Sequence, residues 1–108
     1  MNPEAFGALA HELRLNAFRL LVTVAPDGLP AGQIAARLDV PASTLSTHLA
    51  QLERAGLIKS SRERQRILYS IDAEGTQALV GFLINDCCGG HPELCGIGAR
   101  TKRASKRA

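Results

Sequence analysis

GQIAARLDVPASTLSTHLAQLERAGL, residues 32–57, is the stretch whose spacing decides the fold. From Gln33 to Leu38, the apolar Ile34, Ala35 and Leu38 recur at helical spacing, and Asp39-Val40-Pro41 then interrupts them with a proline in position to open a new helix. The spacing predicts two helices joined by a tight turn. In the second, an advance of about 100° per residue from Leu45 returns Leu49 and Leu52 to one narrow face. Ser43, Thr47, Gln51 and Arg54 fall on the opposite face. One face is made to pack. The other carries short polar side chains with an arginine behind them, which suits the DNA major groove because Ser, Thr and Gln reach base edges or phosphates without bulk. An ordinary solvated helix has the same pattern, so this stretch alone leaves both readings open.

Downstream, Ala55-Gly56-Leu57 carries a glycine suited to a helix C-cap, and residues 57–71 read LIKSSRERQRILYSI. A strand beginning at Ile58, a second from Ile67 to Ile71, and a polar tip of Arg62-Glu63-Arg64-Gln65-Arg66 make a two-stranded hairpin wing. Residues 54–66 hold Arg54, Lys59, Arg62, Arg64 and Arg66 against Glu63, a net charge of +4 beside the polar helix face. Charge of that density is what phosphate anchoring requires, and it makes binding salt-sensitive. Together, helix pair and wing favour a DNA-binding module. The candidate DNA contacts are Ser43, Thr44, Ser46, Thr47, His48, Gln51 and Arg54 on the helix, with Arg62, Arg64 and Arg66 on the wing.

Upstream, Asn2-Pro3-Glu4 reads as a helix start, and Phe6, Leu9, Leu13, Ala17, Leu20, Leu21 and Val24 recur at three- and four-residue spacing as far as Ala25-Pro26-Asp27-Gly28. The spacing fits one long amphipathic helix or two helices meeting near His11, a residue read as a cap or surface group rather than a ligand. The apolar stripe is wide enough to cover a partner subunit as well as its own core. After the wing, a final helix from Asp72 or Ala73 to Asp86 carries Leu79, Val80, Phe82, Leu83 and Ile84. Gly81 inside it costs about 1 kcal/mol against alanine and points to close approach of a second helix, a dimer seam.

At 108 residues and 45% hydrophobic, the chain supports one small core, over residues 1–95. It has no apolar run of about 18 residues to span a membrane, and no charged segment leads an apolar one as in a signal peptide. A cytoplasmic protein is expected. The net charge of +3 conceals an asymmetry, because residues 1–95 hold eight basic and ten acidic side chains. The excess sits in residues 96–108, with Arg100, Lys102, Arg103, Lys106 and Arg107, and reads as a disordered, solvated tail with weak attraction for phosphate.

All three cysteines lie within nine residues, Cys87-Cys88-Gly89-Gly90-His91-Pro92-Glu93-Leu94-Cys95. In a reducing compartment such a cluster is not a disulfide framework. Two glycines and Pro92 let the chain turn and return Cys95 towards the vicinal pair. Trivalent arsenic and antimony are soft and accept three sulfurs in a pyramid, so Cys87, Cys88 and Cys95 suit As(III) or Sb(III). Zinc or cadmium takes four ligands, and His91 would complete that set. Disulfide formation under oxidants uses the same thiols, and three free thiols in a tail are the bland alternative. An enzyme is not expected: there is no Gly-rich phosphate loop, and His91 is the only base beside the cysteines.

Leu45-Ser46-Thr47-His48-Leu49 with Leu52, the Ala55-Gly56-Leu57 exit, the basic hairpin and Ala8-Leu9-Ala10-His11-Glu12-Leu13-Arg14-Leu15 together resemble the ArsR (ArsR/SmtB) family of winged-helix repressors over roughly residues 4–95. The resemblance implies an α+β, mostly α, winged helix-turn-helix with a hairpin wing. It further implies a homodimer through the first and last helices, each subunit placing one reading helix in half of an inverted repeat of double-stranded operator DNA. His48 matches the family's histidine and, at about 70° from the apolar centre of its helix, equally suits a flank packing or backbone-bonding position, while Thr47 stands where a bulkier basic residue is frequent and the wing tip lacks a frequent glycine. Cys87, Cys88 and Cys95 resemble the group of arsenical-responsive repressors with a vicinal pair and a third cysteine beyond the last helix. The other arsenic site of the family falls on Leu29 to Gln33, which has no cysteine. The family's zinc site on the last helix would find Asp72 and Asp86 there but no histidine.

Overall fold

The computed structural model describes residues 4–87, the last three by backbone alone. Its elements are α1 (Glu4–Leu9), α2 (Glu12–Thr23), β1 (Leu29–Pro30), α3 (Ala31–Leu38), α4 (Ala42–Arg54), β2 (Ile58–Glu63), β3 (Arg66–Ile71) and α5 (Ala73–Gly81), followed by a π-helical turn over Phe82–Cys87. The amphipathic N-terminal stretch is thus two helices. His11 separates them: its backbone is extended, and its Nδ1 accepts the Leu13 N–H at 3.1 Å, satisfying a donor that the first turn of α2 cannot bond internally.

Each helix of the central pair ends in a left-handed residue. After α4, Gly56 has φ +82°, Leu57 N–H bonds the Leu52 carbonyl at 3.1 Å and Gly56 N–H bonds that of Glu53 at 3.0 Å. Leu52 and Leu57, the apolar pair that accompanies this cap, are both fully buried. After α3 the same pattern recurs with Asp39 in the left-handed position at φ 57°, Val40 N–H bonding the Ala35 carbonyl at 3.1 Å. A side chain there carries a steric cost that glycine lacks. Asp39→Gly is therefore expected to stabilise the fold, by about 0.5–1 kcal/mol, read as a higher urea midpoint at unchanged slope. Pro41 stands just outside α4 as its N-cap, with φ −63° and ψ 144°, and its carbonyl accepts the Leu45 N–H at 3.1 Å.

Up to Thr76 the chain forms one compact unit. Its fully buried large side chains are Leu21, Ile34, Leu45, Leu49, Leu52, Leu57 and Ile58, joined by Ala5, Ala17 and Leu29. Each of the leucine and isoleucine side chains contributes about 1.5–3 kcal/mol by leaving water. The expected packing face of α4 is therefore the one that is buried.

The sheet is antiparallel with strand order β1-β3-β2, and Leu29 faces Tyr69 while Ile58 faces Ile71. The wing thus gains a third strand that the two-stranded expectation lacked. Two residues are too few to display alternation, and what lets β1 approach is Gly28, at φ +93°, where a Cβ would collide with the Tyr69 carbonyl. The hairpin tip is also tighter than expected. Arg62, Glu63 and Arg66 are paired in the strands, leaving Arg64 and Gln65 to make the turn, with Arg64 left-handed at φ 60°. The turn's cost falls on Arg64, where a glycine would be free of it.

Asp72 opens α5. Its N–H bonds the Leu57 carbonyl at 3.0 Å, and its Oδ1 accepts the Gly75 N–H at 3.1 Å. Gly75 lies against Gly56, so close that a Cβ on it would overlap the Gly56 carbonyl. Among the described residues, those from 77 to 87 fall in a separate unit. There the single α-helix expected to Asp86 instead ends at Gly81 and widens to π-helical bonding from Phe82. Glycine has the weakest α-helical preference after proline, so the change of hydrogen-bond pattern falls where α-helix is least favoured.

Candidate nucleic-acid interface

Because Leu45, Leu49 and Leu52 hold α4 by one face, Ser43, Thr44, Ser46, Thr47 and Arg54 stand exposed on the rest of it and Gln51 is half-buried. Ser46 donates back to the Ser43 carbonyl at 3.2 Å, which occupies its hydroxyl proton but leaves its lone pairs to accept. Arg62, Arg64 and Arg66 are all exposed on the wing. Arg66 is 3.5 Å from Glu63, with both side chains more than half exposed, a pairing weak enough for a phosphate to displace.

Glu53 and Ser60 are two residues that the spacing did not single out. Ser60 Oγ donates to Glu53 Oε2 at 2.8 Å, tying the C-terminal turn of α4 to β2. Reading helix and wing are thereby held together from one small corner. The Gly56 cap lies in the same corner and sets the angle at which one leaves the other.

His48 takes the flank position that its spacing on α4 also allows. It is half-buried, its ring lies 4.5 Å from that of His11, centroid to centroid, at 37°, and its Nδ1 is 3.2 Å from Arg14 Nη1. Burial first, then the positive charges of His11 and Arg14, push its pKa below the ordinary imidazole value. The side chain is engaged with the α1–α2 junction rather than with the exposed face of α4, because it flanks the buried leucine stripe. Arg14 was also not singled out. It sits three residues after His11, one helical turn on, which is the spacing signal that pairs them.

Cys87 is the last residue of the π-helical turn, while Cys88, His91, Cys95 and the basic tail of residues 96–108 lie outside the described residues. Among the described residues, no group of three or more His, Cys, Asp or Glu gathers to hold a metal ion. Nor is any helix among them long and apolar enough to cross a membrane.

Comparison with known proteins agrees with this geometry. A family model described as a helix-turn-helix domain matches residues 9–61. The HTH-type transcriptional regulator YgaV of Escherichia coli is 38% identical over 81 residues, covering 75% of this chain and 80% of YgaV. The transcriptional activator HlyU of Vibrio cholerae is 33% identical over 76 residues, 70% of this chain and 68% of HlyU. A solved structure of reduced HlyU superposes with a TM-score of 0.61 at 30% identity, over 76% of this chain and 83% of that one. The homodimeric winged helix-turn-helix domain of Mb0332 from Mycobacterium bovis, a possible ArsR-family regulator, superposes with a TM-score of 0.61 at 27% identity, over 82% of each chain. With helix pair, wing and relatives in agreement, the chain belongs to the ArsR/SmtB family of winged-helix transcriptional regulators, a family of regulators and not of enzymes.

Proposed function

We propose that this chain is a homodimeric repressor that grips an inverted repeat of operator DNA and lets go when As(III), or Sb(III), binds Cys87, Cys88 and Cys95. The observation that carries the signal is the confinement of all three cysteines to nine residues starting at the end of the last helical segment. Dimerisation is supported by the homodimeric relative and by exposed apolar side chains, Leu15 and Val22 on α2 and Val80 on α5. Two reading helices about 34 Å apart enter successive major grooves. Phosphates are held by Arg62, Arg64 and Arg66, and base edges are met by Ser43, Thr44, Thr47 and Gln51, with Arg54 behind them.

In the release step each thiol loses its proton and its sulfur replaces one hydroxyl of arsenous acid, so three As–S bonds form and three waters leave. Binding would draw the vicinal pair and Cys95 together next to the π-helical turn. A change there alters the spacing or mobility of the two reading helices. A coupling of about 1–3 kcal/mol gives several-fold to hundredfold release.

Operator release is measured by titrating arsenite into the reduced dimer on a labelled duplex, in the native chain and in Cys95→Ser. Release is expected for the first and a loss of at least about tenfold in arsenite sensitivity for the second, since two thiolates hold the ion less tightly than three. A second reading is redox control through the same thiols, favoured by the relative HlyU, whose structure is described for a reduced form. Release by peroxide with none by arsenite selects it. A zinc response that disappears in His91→Ala would select four-ligand Zn or Cd sensing instead.

A further inference from the structure

Arg14 joins three parts of the fold that the DNA contacts do not explain. Its Nε donates to the Ala8 carbonyl at 2.7 Å and its Nη2 to the Gly7 carbonyl at 3.3 Å. These lie among the last carbonyls of α1, that of Gly7 also accepting the Ala10 N–H at 3.2 Å, and a cation is favoured at that end. The third arm, Nη1, meets His48 Nδ1 at 3.2 Å on the reading helix. A guanidinium only donates, so Nδ1 must be the acceptor and the neutral ring carries its proton on Nε2. His11, the cap of α2, lies beside the same ring, 4.5 Å away between centroids.

We propose that Arg14 and His48 are positioning residues for DNA binding, forming a proton-sensitive latch that holds the reading helix α4 against the end of α1. The latch exists with His48 neutral. A proton on Nδ1 removes the lone pair that accepts from Arg14 and sets an imidazolium against a guanidinium, so that α4 loses its fixed seat. The charged groups that act on His48 are His11 and Arg14, both from the α1–α2 junction. From α1 the latch receives the Gly7 and Ala8 carbonyls. The other ionisable side chains on the elements packed against α4 are Glu4 in α1, Glu12 and Arg19 in α2, Arg37 in α3 and Lys59, Arg62 and Glu63 in β2, with Glu53 and Arg54 on α4 itself.

The sign follows directly. Because folding lowers the His48 pKa, the unfolded chain binds more protons than the folded one below about pH 6.5. The stabilisation from His48 is complete above that pH and declines as pH falls from there through the lowered folded value. DNA affinity falls over the same window. A histidine that bonded phosphate would behave oppositely, because protonation adds positive charge at the DNA and strengthens binding.

The test measures anisotropy of a labelled duplex, selected from a random pool by the purified protein, between pH 8 and pH 5.5 at constant ionic strength. The native chain is expected to bind about fivefold or more weakly at the acid end. His48→Asn keeps an amide oxygen as acceptor where Nδ1 stood but has no proton to gain, so whatever its affinity at pH 8, the acid decline should disappear. Arg14→Lys keeps the charge but cannot reach both carbonyls and the ring, and should bind more weakly at pH 8 while remaining folded by circular dichroism. A native profile that is flat or rises towards acid overturns the proposal without reference to any variant. A His48→Asn profile that retains the native decline also overturns it. Neither result depends on arsenite, so the latch and the metalloid reading fail separately.

Discussion

Gly75→Ala is expected to lower stability by about 3 kcal/mol or more, the upper range for overpacking, and to reduce the thermal midpoint by over 10 °C, at roughly 4–8 °C per kcal/mol. A Cβ at that position would overlap the carbonyl carbon and oxygen of Gly56, which are backbone atoms that no rotamer change can move aside. Gly56 is itself held by the cap of α4, left-handed and bonded to Glu53. Relief therefore requires either the start of α5 or the corner between α4 and β2 to shift. The Asp72 bonds that open α5 would be lost with the first, and the angle between reading helix and wing would change with the second. Gly32→Ala supplies the contrast. That glycine is helical with nothing within 4 Å of its would-be Cβ, so alanine there should stabilise by about 0.5–1 kcal/mol. Equal melting temperatures for the two variants would show that the Gly75–Gly56 approach does not constrain the fold.

The double variant Arg62→Ala, Arg64→Ala is expected to weaken DNA binding by about tenfold to hundredfold at low salt and to make the slope of log affinity against log salt shallower by about 2. Both side chains are exposed on the wing, Arg62 near the end of β2 opposite Ile67 and Arg64 at the turn. Phosphate contacts carry no base information, so every duplex should weaken by a similar factor. Gln51→Ala should do the reverse, changing which duplexes are preferred while leaving the slope intact, since it removes a base-edge hydrogen bond and no charge. Competition titrations at three salt concentrations measure both. An unchanged slope in the double variant would mean that the wing does not lie on the phosphates.

The α4 leucine face was legible because helical periodicity is a local property: Leu45, Leu49 and Leu52 share a face in any helix, and once one face is buried the opposite one is exposed. The wing was legible for a similar reason, as two β-rich runs flank a polar turn. Its third strand was not. Leu29–Pro30 is a strand only because β3, some forty residues later in sequence, presents its edge and Gly28 has no side chain to obstruct it. His48 shows the same limit within the candidate site. Its place beside the leucine stripe is written in the spacing, yet its partners, His11 and Arg14, lie more than thirty residues earlier, and the contact arises from how α1, α2 and α4 pack. The change to π-helical bonding after Gly81 has a local hint in the glycine, but helical periodicity runs through it without a break.

The amino-acid sequence alone determined that this is a helix-turn-helix with a basic wing and a compact set of C-terminal thiols, because periodicity, charge density and the clustering of rare residue types are readable along a line. Only the tertiary structure decided that His48 is held from behind by Arg14 and His11, that β1 closes the sheet, and that Gly75 must be bare. Each of those depends on atoms distant in sequence meeting at a fixed separation, and separations across the fold are set by the packing of the core as a whole.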